Sequence, residues 1–130
     1  MKLGYTILYV HDVPASLAFF GKAFGLSTRF LHESGTYGEL ETGDTTLSFA
    51  DHSLAASNFP GGHVQASSSP QPLGMEVALV THDVAAAYAA ALAHGATELS
   101  PPSRKPWGQV VSYIRAPDGC LIELCTPVGS

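Results

Sequence analysis

At 130 residues the chain has room for one domain, or for two small halves sharing a core. It is 45% hydrophobic, 13% charged and carries a net charge of −5. This balance argues against nucleic acid or anionic membranes as partners and favours neutral or cationic small molecules. No apolar run reaches the roughly 18 residues of a membrane span. The apolar start, MKLGYTILYV, meets His11-Asp12 without a small-residue cleavage site, so no signal peptide is expected. Cys120 and Cys125 fall on one predicted strand, with side chains on opposite faces. They cannot bridge within it, which fits a reduced, cytoplasmic protein.

The first predicted strand is KLGYTILYV (2–10), rich in β-branched and aromatic residues. Leu3, Tyr5, Ile7 and Tyr9 share one face, and Thr6, Leu8 and Val10 the other. A helix follows over HDVPASLAFFGKAFG. Asp12 supplies its cap, Pro14 fits the first turn, Leu17, Phe20 and Phe24 form an apolar stripe, and Gly25 supplies the stop. Short strands are expected in LSTRFLHES, GTYGELET and TTLSFAD, the last two joined at Gly43-Asp44. Residues 53–73 are rich in Ser, Pro, Gly and Ala and have no period. They read as a linker between halves or a flap.

Then the pattern restarts. GMEVALVT is a strand. HDVAAAYAAALAHG is a helix with an Asp83 cap, a stripe of Val84, Tyr88, Ala91 and Leu92, and a Gly95 stop. TELSPP is a short edge strand ended by its prolines. After the loop SRKPWG, the strands QVVSYIRAP and CLIELCTP close the chain as a hairpin turning at Asp118-Gly119. The two halves are an internal repeat: His11-Asp12-Val13 recurs as His82-Asp83-Val84, and GDTTLSF (43–49) aligns with DGCLIEL (118–124). Each half is a strand, a helix and three strands. Neither buries its sheet alone, so the halves must pair, within the chain or across a dimer.

Glu123 is a carboxylate in mid-strand among apolar residues. Such a charge is costly unless it is paired, coordinated, or open to a wet cavity. Glu76 starts the matching first strand of the second half. Two close carboxyls repel, which raises one pKa and yields a base or a shared proton. The plainer alternative pairs each with Arg or Lys, but the chain has only six such residues. Tyr5, Ile7, Tyr9, Trp107 and Tyr113 are candidate walls of the same cavity, and Cys125 shares the Glu123 face. Aromatic rings above carboxylates suit a flat or cationic organic molecule, with core packing the alternative for each ring. The six histidines show no metal-ligand spacing. His11 and His82, equivalent by the repeat, are expected to bond carbonyls at strand ends.

A doubled βαβββ unit carrying YVHDVPASLAFFGKAFGL, ELETGDTTLSF, the second HDV helix and PWGQVVSYIRAPDGCLIEL resembles the vicinal oxygen chelate superfamily. That group holds glyoxalase I, extradiol dioxygenases, fosfomycin-modifying enzymes and bleomycin-resistance proteins. The resemblance implies one α+β domain over 1–130, with modules at 1–52 and 74–130 joined by 53–73 and paired into a cleft-forming half-barrel. Metal-using members place His, Glu or Gln at four cavity positions, which fall here on Tyr5, Ser48, Glu76 and Glu123. Without an imidazole the set suits at most a hard ion such as Mg or Mn at Glu76 and Glu123, not Zn, Ni or Fe. The resemblance therefore implies a homodimeric, cofactor-free protein of the bleomycin-resistance type that binds a hydrophobic or cationic small molecule. The alternative is a glyoxalase- or dioxygenase-type enzyme with a divalent metal at Glu76 and Glu123. A metal-free catalyst with Glu123 as base is a third possibility.

Overall fold

Two aspartates start the two long helices. In the computed structural model, which describes residues 1–129, Asp12 accepts from Ala15 N at 3.1 Å and Asp83 from Ala86 N at 3.0 Å. These caps satisfy backbone donors that the first turn leaves free. They open α1 (Val13–Phe24) and α3 (Val84–Ala93). Around α1 lie β1 (Tyr5–Val10), β2 (Thr28–Leu31), β3 (Tyr37–Leu40) and β4 (Thr46–Asp51). Around α3 lie β5 (Glu76–Val80), β6 (Thr97–Arg104), β7 (Val110–Arg115) and β8 (Leu121–Cys125). The strand orders are β1-β4-β3-β2 and β5-β8-β7-β6, with β1 parallel to β4 and β5 parallel to β8. The repeat read from the sequence is thus a repeat of topology. Both sheets are open, and neither closes into a barrel.

One core serves both modules. α1 packs on β3, β4 and α3, and α3 on β6, β7 and β8. Phe20, Phe49, Leu40, Ile114 and Ile122 are fully buried in a single cluster drawn from both halves. The Phe20 and Phe49 rings lie 5.2 Å apart, a contact of the kind that adds about 1 kcal/mol beyond burial. Gly38 lets α1 approach β3, since a Cβ there would stand 2.7 Å from Leu17 Cδ1. The helical stripes are as expected, except that Phe24 and Leu92 are only half-buried while Phe19 is buried.

Two expectations are corrected. Residues 53–73 are not featureless. Asp51 accepts from Ser53 N at 2.9 Å and starts α2 (His52–Asn58), and a 3₁₀ turn spans Ala66–Ser68. That turn is clamped by Arg115, whose Nη2 donates to Ala66 O at 2.6 Å and Ser69 O at 2.8 Å. Nor does β6 stop at its prolines. It continues through Pro101 and Pro102 to Arg104, with its register shifting between Ser100 and Ser103. Successive N–H groups of a strand point to opposite edges, so the outer edge excuses only one of the two prolines, and the register shift accommodates the other. A long-range tie joins the modules: Ser16 Oγ in α1 donates to Asp118 Oδ2 in the β7–β8 turn at 2.8 Å.

Candidate functional site

On the second sheet, register decides which residues share the face opposite α3. Ala78, Glu123 and Tyr113 lie in one row across β5, β8 and β7, with Glu76, Leu121 and Arg115 in the row before and Val80, Cys125 and Val111 in the row after. Glu76 and Glu123 come within hydrogen-bonding reach of each other. That shared hydrogen bond, then partial desolvation of a side chain that remains largely exposed, then mutual repulsion raise the Glu76 carboxyl to about 7. Burial, and then the charge of Glu123, raises the Tyr113 phenol and the Cys125 thiol. The Cys125 thiol donates to Leu79 O at 3.8 Å.

No cation compensates the pair. Among the described residues the ion pairs are Arg29 with Glu39 and Glu41, both on the other module. Arg115 gives its donors to the carbonyls of Gly119, Ala66 and Ser69, and Arg104 donates to Gly108 O.

On the first sheet Ile7, Ser48 and Glu39 form a row, flanked by Tyr5 with Thr46 and by Tyr9 with Ala50 and Tyr37. Ser48 is fully buried and its Oγ has no hydrogen-bond partner. The Tyr37 phenol stands beside it but gives its proton to Glu39 Oε2 at 2.8 Å. Arg29 bridges Glu39 Oε1 at 3.0 Å and Thr46 Oγ1 at 2.6 Å. The strand edges and faces away from the helices stay uncovered: Tyr5 is 56% exposed, Ile7 43% and Val80 64%. Monomeric proteins seldom leave such apolar surface open.

The structure therefore joins Glu76, Glu123, Tyr113 and Cys125 in one group. Tyr5, Ile7, Tyr9 and Ser48 lie together on the other sheet. No hydrogen bond, ion pair or ring contact links the two groups among the described residues. Trp107 stands apart from both, exposed, its indole donating to Gln109 Oε1 at 2.9 Å.

The four positions at which the resemblance places metal ligands fall on two sheets. Tyr5 and Ser48 sit on one sheet and Glu76 and Glu123 on the other. No three His, Cys, Asp or Glu side chains among the described residues are placed to hold a metal.

The sequence reading missed a second polar cluster. His11, just past the end of β1, sets its ring edge-on against His52, with centroids 4.7 Å apart, and bonds no carbonyl among the described residues. His52 in turn stacks on His63 at 5.0 Å, with Nδ1 of His52 2.8 Å from Nε2 of His63. Expected to bond a strand-end carbonyl like His11, His82 is instead exposed.

Family comparison agrees with this architecture. The sequence model of the Glyoxalase/Bleomycin resistance protein/Dioxygenase superfamily matches residues 2–124. The chain belongs to this superfamily. Among solved structures, a glyoxalase-related enzyme from Fulvimarina pelagi is 22% identical, covering 98% of this chain and 88% of its own, with a TM-score of 0.82. A protein of unknown function from Agrobacterium tumefaciens str. C58 is 26% identical over 98% and 94%, with a TM-score of 0.76. TioX from Micromonospora sp. ML1 is 19% identical over 97% and 98%, with a TM-score of 0.70. No curated protein matches the sequence. Within the superfamily, this chain combines the tandem βαβββ fold with the Glu76–Glu123 carboxyl pair. No helix is long and apolar enough to cross a membrane.

Proposed function

We propose that the protein is a homodimeric, metal-independent binding protein for a hydrophobic, cationic small molecule. The observation that carries this reading is the Glu76–Glu123 pair, which no Lys or Arg neutralises. A ligand cation set between the carboxyls would relieve their repulsion, and Tyr113 beside them offers an aromatic face to the same charge. Two further observations support a shared cleft. The faces bearing Tyr5, Ile7 and Val80 are open, and Ser48 Oγ is buried without a partner. Setting the Tyr5–Ser48 face of one copy against the Glu76–Glu123 face of another would cover both. The two free thiols fit a reducing cytoplasm.

A second reading is favoured by one observation. Glu76 holds its proton near neutral pH, which suits a metal-free proton-transfer enzyme with Glu123 as base. In that case Glu123→Gln abolishes turnover and leaves binding nearly intact.

The test is native mass spectrometry with metal analysis on protein as isolated, followed by titration with Mg, Mn, Ni and Zn. A dimer retaining an organic mass and taking up no stoichiometric ion is the expected result. A monomer at micromolar concentration overturns the shared cleft. One ion per site overturns metal independence.

A further inference from the structure

The imidazole cluster lies outside the proposed site and at the base of a separate structure. His63 belongs to the segment that crosses from the first module to the second. Its ring packs on Tyr9 with centroids 5.2 Å apart and on Phe59 at 6.3 Å, and Phe59 itself meets Tyr9 edge-on at 6.5 Å. Beneath this segment is a mostly apolar cavity of about 210 Å³, lined by Ile7, Tyr9, His63, Val64, Leu73 and Met75 among others. Among the described residues, 59–64 are held by Phe59 N–H donating to Ala55 O at 3.1 Å at the end of α2, and farther along by one side-chain bond, His52 Nδ1 to His63 Nε2 at 2.8 Å.

That bond has a strict proton requirement. One ring must supply N–H and the other a lone pair. A single proton added to the pair can be shared, but two cannot: each ring then presents N–H to the other at 2.8 Å. A metal does not explain the contact. Two nitrogens each about 2.0–2.1 Å from a tetrahedral ion stand farther apart than this, and no third ligand is placed to complete a site.

The charged neighbours do not offset a second proton. His11 packs on His52 from the end of β1 and adds a third imidazole. The nearby carboxylates keep their charge but direct their hydrogen bonds elsewhere. Asp51 caps α2, Asp12 caps α1, and Asp118 accepts from Ser16 and Cys120. The Tyr9 ring packs on His63 and brings no charge-bearing group of its own element closer. Burial, then repulsion from His11 and His63, lowers the His52 pKa against a smaller pull from Asp51. A group held below its ordinary value supports the closed form above its unfolded pKa and withdraws that support as pH falls through the folded one.

We propose that His52 and His63 form a proton-sensitive latch that pins residues 59–64 over Tyr9 at neutral pH and releases them, opening the cavity beneath, on mild acidification. Imidazole is the side chain suited to this range.

Hydrogen exchange followed by mass spectrometry between pH 7.5 and 5, corrected for intrinsic rates, tests it. Protection in peptides covering 56–61, read at Phe59 whose N–H donates to Ala55 O at 3.1 Å, is expected to fall about tenfold, while β7 and β8 keep theirs. In His63→Phe, which keeps the ring contacts with Tyr9 and Phe59 but carries no proton, the same peptides should change less than about twofold. Equal protection at both pH values in the wild type overturns the latch. So does a loss that persists in His63→Phe, or one that spreads equally to β7 and β8.

Discussion

Gly119→Ala is expected to destabilise the protein by about 3 kcal/mol, lowering the melting temperature by roughly 10 °C. Gly119 sits in the β7–β8 turn at φ +93°, where an L side chain pays for a left-handed backbone. It also lies under the 3₁₀ turn: a Cβ there would stand 2.5 Å from both Ala66 C and Ser67 N. Backbone cannot yield as a side-chain tip can, so the turn must lift. Lifting it breaks the Arg115 bonds to Ala66 and Ser69 and exposes the cavity edge at Cys120 and Leu121. Gly43→Ala is the control. Gly43 has φ +87° but open space around it, so it carries the conformational penalty of about 1–2 kcal/mol alone. Thermal melts of both variants decide the matter. If Gly119→Ala costs no more than Gly43→Ala, the close approach of the connecting segment is wrong.

That segment marks where the sequence was hardest to read. The rest of the fold was legible because its signals are local and agree with one another: an aspartate cap before each helix, a glycine after it, an Asp-Gly turn between apolar runs, and the whole pattern twice. α2 lacks such agreement. It has the Asp51 cap, but only Ala55 of its seven residues is buried, so no apolar stripe announces it. β6 runs longer than expected because paired prolines normally end even an edge strand; nothing in TELSPP announces the register shift between Ser100 and Ser103 that lets the strand continue past them. For the site, the repeat was enough to place Glu76 and Glu123 on one face, since period and pairing follow from topology. Trp107 could not be placed that way. Its loop bonds locally to Gln109, and a loop aromatic has no register to point it. The imidazole cluster was invisible for a related reason: His11, His52 and His63 meet only after β1, β4 and the connecting segment have come together.

The carboxyl pair gives the second prediction. Glu76 is raised from an ordinary 4.5 to about 7, first by its hydrogen bond to Glu123. A carboxyl raised in the folded state supports folding fully below its unfolded pKa, and that support is lost as pH rises through about 7. The wild-type melting temperature should therefore fall between pH 5.5 and 8.5. Glu76 is solvent-exposed, so screening holds the effect under about 1 kcal/mol, or a few degrees. Glu76→Gln keeps a donor for Glu123 and never ionises, so its melting temperature should not show this fall. The same ionisation governs binding of a cation, which replaces the shared proton. Affinity for a hydrophobic organic ammonium probe should rise about tenfold across this range in the wild type, and stay low and flat in Glu76→Gln. Glu123→Gln should lose about tenfold in affinity at pH 8. Parallel melting profiles for wild type and Glu76→Gln would mean that the two carboxyls do not interact in solution. Unchanged affinity in both variants would leave the pair intact as a structural feature but remove it from ligand recognition.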